Sequence, residues 1–219
     1  MYGFSTHQNR FKRALSFLPW LFLIHSPEGA LGLVQKYFET EWADSPKLSF
    51  LILYPLFCAV AALSSAATYL IIKSYPEKPI SFNYLIKEIK PKLIFLVLTS
   101  WLLGVLIIPA TLAFVFPGIW VLSQYLFVPF CIMDSSDRTL SSFFNLSKVL
   151  SEKNRKICLL TAFLSFMGSL LSFVGGMGLM SQVGAPLGLL LILETTLSVL
   201  ISVFITTWTA TLYQEVSNQ

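Results

Sequence analysis

An all-α fold, a polytopic bundle of transmembrane helices, is what this sequence predicts, and three observations predict it. Hydrophobic residues make up 55% of the 219 positions and charged residues 12%, about half the charged share usual in a water-soluble domain. The apolar residues come in unbroken runs longer than the ~18 that mark a spanning helix, not as the periodic stripes of a domain that buries one face. Lysine and arginine gather in alternate connections between those runs, the asymmetry that orients helices in a bilayer. One membrane domain covering residues 1–219 follows.

Residues 1–13 form a basic tail carrying Arg10, Lys12 and Arg13. The candidate span that follows, near 14–34, is the weak one. Ala14 to Ile24 covers only ~16 Å as a helix at ~1.5 Å per residue, and His25, Pro27 and Glu28 interrupt any extension. The segment fits a short span, an interfacial helix or the start of a signal peptide. His25-Ser26-Pro27-Glu28 offers no A-x-A-like cleavage site, so retention is expected.

Five further spans are delimited by charge. Residues 48–72 carry none, long enough to cross a hydrocarbon core of ~30 Å with some tilt. Residues 93–133 are also uncharged, too many for one helix and enough for two, predicted at 93–116 and 119–133. Pro117 and Gly118 are the expected structural turn, because proline interrupts the hydrogen-bond ladder and glycine accepts a tight reversal. The uncharged run 157–180 gives another span, and Gly184-Ala185-Pro186 leads into the last, 187–213, which holds a single charge at Glu194.

Between these spans lie two basic connections, Lys73, Lys78, Lys87, Lys90 and Lys92 in one and Arg138, Lys148, Lys153, Arg155 and Lys156 in the other. With the N-terminal three they place thirteen of the 15 lysines and arginines on one side, leaving Lys36 and Lys47 opposite. Six spans with both termini cytoplasmic are therefore expected. Each basic connection also reads as a short amphipathic surface helix, near 81–90 and near 139–152. Ser81-Phe82-Asn83-Tyr84-Leu85-Ile86-Lys87 and Ser142-Phe143-Phe144-Asn145-Leu146-Ser147-Lys148 have similar composition. A parallel repeat and convergence on interfacial composition explain that similarity equally well.

Several function classes are excluded or unsupported. The net charge of +4 comes without a basic patch interleaved with stacking aromatics, so no nucleic-acid partner is expected. Cys58, Cys131 and Cys158 have neither metal-ligand nor CxxC spacing and read as small packing residues. No catalytic constellation, metal set or cofactor motif is present. Gly175-Gly176-Met177-Gly178 lacks the lysine and the strand-to-helix setting of a phosphate loop.

Phe116-Pro117-Gly118-Ile119-Trp120, a following span, Asp134, Leu146-Ser147 to Asn154 and the closing Thr211-Leu212-Tyr213 together resemble the bacterial polytopic family represented by the glycerophosphoryl diester phosphodiesterase membrane domain and its stand-alone relatives. The resemblance runs from about residue 48 to 213 and implies a six-helix fold. It implies no activity, since the phosphodiesterase chemistry of the fused relatives belongs to a soluble barrel with histidines and acidic metal ligands, whereas this chain has only His7 and His25. The sequence departs from the family at Phe143, where a small residue is common, and near Gln124, where a basic one is.

Two sets of residues stand out as candidate sites. An ionisable residue within a spanning helix suggests a functional site or a polar partner, which singles out Glu194. At ~100° per residue, Thr195, Ser198, Ser202, Thr206 and Thr209 share one arc of the same helix, with Glu194 about 40° from Ser198. That face is either a polar site or a packing seam of small residues. The basic residues Lys87, Lys90, Lys92, Lys148, Arg155 and Lys156 are candidate contacts for anionic lipid. The expected function is accordingly non-enzymatic: contact with membrane lipids and a membrane-protein partner or a second copy, in membrane organisation or assembly. The alternative is a small transporter or channel subunit using Glu194 and the hydroxyl face.

Overall fold

The computed structural model describes residues 18–41, 46–74, 81–113, 115–135, 139–182 and 187–218. The basic tail 1–13, the first residues of the weak span and the 183–186 connection lie outside the described residues. Those described are almost wholly helical, in nine α-helices. They are α1 (Leu18–Glu41), α2 (Pro46–Ser74), α3 (Phe82–Ile89), α4 (Leu93–Ala113), α5 (Val115–Tyr125), α6 (Val128–Asp134), α7 (Leu140–Lys153), α8 (Arg155–Gln182) and α9 (Leu187–Ser217). Within them, four stretches are long and apolar enough to cross a membrane: Pro55–Ser74, Phe82–Ile107, Val115–Asp134 and Ile192–Ser217.

The long helices pack as a closed ring, α1 on α2, α2 on α4, α4 on α5, α5 on α8, α8 on α9 and α9 back on α1, with α9 also touching α2. Leu23, Ile94, Phe116 and Leu171 are each more than half exposed on its outside, the pattern expected when the outer solvent is lipid. The core sits where α2, α6 and α9 meet. Tyr69, Phe130 and Tyr213 lie with ring centroids 5.4 to 5.6 Å apart, and Phe127 is 5.6 Å from Tyr213. Ala62 and Ala66, from the small-residue stripe of α2, are buried there and permit close approach.

Three local features differ from the sequence reading, each for a stated reason. First, α1 runs uninterrupted through His25, Pro27 and Glu28. Proline lacks the amide hydrogen that would reach the carbonyl four residues back, here Leu23, and the Ser26 hydroxyl donates to that carbonyl instead at 2.7 Å. Second, Pro117 and Gly118 are not the turn: α4 ends at Ala113 and α5 begins at Val115, so both residues fall in the first turn of α5. Proline is accommodated there because a first-turn amide has no partner within the helix.

Third, the helix predicted at 119–133 is two helices, broken at Leu126–Phe127 ahead of Pro129. The Gln124 carbonyl, freed at the break, accepts the hydroxyls of Ser147 at 3.0 Å and Ser151 at 3.2 Å, and the Phe127 amide donates to Ser147 Oγ at 3.2 Å. Helix α7, expected to lie at the membrane surface, is thereby docked against the break in the bundle. Its Phe143 is buried, edge-on to Phe95 at 5.8 Å. The first surface helix, capped by Ser81, whose hydroxyl accepts from the Tyr84 amide, buries Leu85 and Ile89 and exposes Phe82. The sequence match between the two surface helices thus pairs exposed Phe82 with buried Phe143 and buried Leu85 with exposed Leu146. Opposite burial at matched positions argues against a repeat in that register and leaves convergence of composition.

Candidate functional site

The helical stripe Leu21, His25, Glu28, Gly29 is buried on α1 and faces the seam with α2 and α9. His25 Nδ1 lies 3.0 Å from Glu28 Oε1, and both side chains are buried. From α9, Ser202 Oγ donates to Glu28 Oε2 at 2.7 Å and sits 3.1 Å from His25 Nδ1. From α2, Thr68 Oγ1 sits 3.1 Å from His25 Nε2. A carboxylate only accepts, so the network assigns the Nδ1 hydrogen to the bond with Glu28 and leaves Nε2 to pair with the Thr68 hydroxyl. Three helices are joined through two ionisable side chains.

Small residues make the approach possible. A Cβ added to Gly29 would lie 2.6 Å from Val199 Cγ2 and 2.8 Å from Thr195 Cγ2, so α1 sits against α9 only because residue 29 has no side chain. Gly168 does the same for α8 on α9, where an added Cβ would meet Ile201 Cγ2 at 2.8 Å. Between these two contacts lies a cavity of about 220 Å³, lined by Glu28, Gly29, Ser165, Gly168, Ser198, Ser202 and Thr206 among others. Its hydroxyls and carboxylate share the wall with the apolar Phe57, Val199, Ile201 and Ile205, and its volume has room for several waters.

The predicted face of α9 therefore divides. Ser198, Ser202 and Thr206 line the cavity, Ser202 being also the partner of the His25–Glu28 pair. Thr195 packs its methyl toward Gly29, and the buried Thr209 returns its hydroxyl to the Ile205 carbonyl of its own helix at 2.8 Å. Glu194 is buried one turn before Ser198 and does not line the cavity. His25 and Glu28 are what sequence reasoning missed. Their i, i+3 spacing, in register with Leu21 and Gly29, was the available signal, and Pro27 concealed it.

A second polar group closes the end of the bundle where the core aromatics stack. Asp134 accepts from Tyr69 Oη at 2.5 Å and from Lys73 Nζ at 2.5 Å. Lys92 Nζ donates to the Met133 carbonyl and, at 3.5 Å, to that of Ser135, satisfying carbonyls at the C-terminus of α6. Asn154, whose carbonyl receives the Ile157 and Cys158 amides, joins α7 to α8 at the same level of the chain as Ser147 and Ser151 dock it. Of the remaining candidate lipid contacts, Lys148 pairs loosely with Glu152 at 3.9 Å, and Lys87, Lys90, Arg155 and Lys156 are exposed.

Chemically, Thr68, His25 and Glu28 stand in the order hydroxyl, imidazole, carboxylate used by hydrolytic triads. Thr68 is fully buried and lines neither the cavity nor the apolar groove between α1, α2 and α3, so neither space brings a substrate to its oxygen. Glu28 and Ser202 do meet the cavity, and a buried acid beside a buried imidazole can take up, hold and pass a proton. Among the described residues no three His, Cys, Asp or Glu side chains gather in metal-binding geometry. Comparison with protein-family models, with curated proteins and with solved structures returns no match to the chain.

Proposed function

We propose that the protein is a proton-linked transporter or channel subunit of a bacterial cytoplasmic membrane, with Glu28 and His25 as its protonatable site. The observation that carries this reading is a buried, hydrogen-bonded His–Glu pair whose Glu28 lines a cavity that also holds the hydroxyls of Ser165, Ser198, Ser202 and Thr206. An ionisable group held inside a membrane bundle is costly, and a proton path or substrate site is its usual reason. In this reading α1, α2, α4, α5 with α6, α8 and α9 are six spans with both termini cytoplasmic. The charge asymmetry supports that orientation.

Protonation has a mechanical consequence. Glu28 holds α1 to α9 through Ser202, and His25 holds α1 to α2 through Thr68. A proton arriving from cavity water neutralises the carboxylate and converts its charge-assisted bonds to ordinary ones, about half as strong. The α1–α9 seam loosens as the proton is bound, which is the coupling a carrier needs.

Vesicles reconstituted with the protein and loaded with a pH-sensitive dye test this under an imposed proton gradient and membrane potential. Proton entry above that of protein-free vesicles is expected, abolished by Glu28→Gln and preserved in Glu194→Gln. Wild-type entry at the protein-free level, together with an infrared pH titration in which no carboxyl band is lost in Glu28→Gln, overturns the proposal. Loss in Glu194→Gln alone would move the site to Glu194.

A further inference from the structure

Between them, α1, α2, α3 and the start of α4 enclose a groove of about 720 Å³, within the ~300–1,000 Å³ range of small-molecule sites. It exists because α3 stands off the bundle: Leu85 and Ile89 pack inward, while Phe82, Ile86 and Lys90, one helical stripe at i, i+4 and i+8, form the outer wall. Leu23 of α1 and Leu63 and Ala67 of α2 form the inner walls. The lining is apolar apart from Ser64 and Lys90, and the Ser64 hydroxyl is engaged with the Ile24 carbonyl at 3.1 Å. A long apolar trough with one cation at its rim matches an acyl chain that carries an anionic head.

The lysines of this end are not equivalent. Lys73 is bound to Asp134, Lys92 to carbonyls of α6 and the residue after it, and Lys148 to Glu152. Lys90 and its neighbour Lys87 are exposed and form no ion pair among the described residues. Trp20 and Phe82 flank the opening, 58% and 72% exposed, and aromatic side chains of this kind favour the headgroup level. We infer that the groove is a binding site for one anionic glycerophospholipid, an acyl chain lying along Leu23, Leu63 and Ala67 with its phosphate held by Lys90 and Lys87. Ser64 of the groove also reaches the Glu28 side chain, but lipid binding there does not rest on the His25–Glu28 pair carrying protons.

Native mass spectrometry of the protein, extracted after reconstitution with equal amounts of phosphatidylglycerol and phosphatidylcholine of matched chains, tests the inference. One phosphatidylglycerol retained per chain in preference to phosphatidylcholine is expected. Lys90→Gln should cut the preference about fivefold, the factor set by one basic residue at a membrane surface, and Lys87→Gln with Lys90→Gln should remove it. Ile86→Glu alters an exposed rim position without touching the core, and it should abolish retention of both lipids by placing a carboxylate in the trough. Equal retention of the two lipids by the wild type, retention unchanged in both Lys90→Gln and Ile86→Glu, or a lipid-free dimer in place of lipid-bound chains would each overturn it.

Discussion

Replacing His25 and Glu28 by leucine, singly and together, should give a strongly non-additive result. Glu28→Leu removes the acceptor of Ser202 at 2.7 Å and of His25 at 3.0 Å. Side-chain hydrogen bonds between membrane helices average ~0.6 and reach ~1.7 kcal/mol, whereas those to charged groups in water-soluble proteins reach ~3 kcal/mol. Ser202 can turn to cavity water, and His25 keeps Ser202 Oγ within 3.1 Å, so the lower scale governs and about 2 kcal/mol of destabilisation is expected. His25→Leu leaves Glu28 and Thr68 without their imidazole partner and should cost a similar amount. The double variant removes both costly groups from the interior and should lie within about 1 kcal/mol of the wild type, since apolar replacement of a whole buried pair is often neutral or stabilising. Unfolding in mixed micelles, titrated with dodecyl sulfate and followed by loss of helicity, measures all four corners of the cycle. A double variant destabilised by the sum of the two singles would refute the argument, because it would mean that the two side chains hold α1 independently.

Gly29→Ala should destabilise by about 1–3 kcal/mol in the same titration, since its methyl enters the space of Val199 and Thr195 on the facing helix. Ser147→Ala combined with Ser151→Ala strips the Gln124 carbonyl of both hydroxyl donors; a loss of about 1–3 kcal/mol is expected, with faster amide exchange along α7. Asp134→Asn should cost less than about 1 kcal/mol by the same measurement. The Lys73–Asp134 pair is partly exposed, at 52% and 27% of the two side chains, and an amide oxygen can still accept from Tyr69.

What the sequence made legible follows from how local each signal is. Absence of charge over a helix length is a property of a segment alone, so the uncharged runs 48–72 and 157–180 each fall inside one helix, Pro46–Ser74 and Arg155–Gln182. Periodicity is local too, which is why Ser198, Ser202 and Thr206 could be assigned to one face before their cavity was known. Partners are not local. Nothing around residue 202 indicates that its hydroxyl meets residue 28, and nothing around residue 147 indicates that it completes the ladder at Gln124. Proline misled twice for one reason: its missing amide matters only if a partner was needed. In the first turn at Pro117 none was, and at Pro27 the Ser26 hydroxyl supplied the substitute.

The same accounting explains why the two polar groups of the bundle differ in character. At the aromatic end, the partly exposed Asp134 is tied to the hydroxyl of Tyr69, whose ring packs against Phe130 and Tyr213, with Phe127 and Tyr213 almost fully buried. Close-packed interiors resist small displacements, so the ring cluster behind Tyr69 has little room to respond to a change at Asp134 on its rim. At the α1–α9 seam the contact is made by a glycine, by hydroxyls and by one carboxylate, and a cavity lies beside it. Losing charge on Glu28 weakens its polar tie between those two helices, with cavity space beside it into which side chains can relax. A transporter built on this ring would therefore move where a cavity borders the seam, α1 shifting against α9 while the aromatic cluster keeps α2, α6 and α9 together.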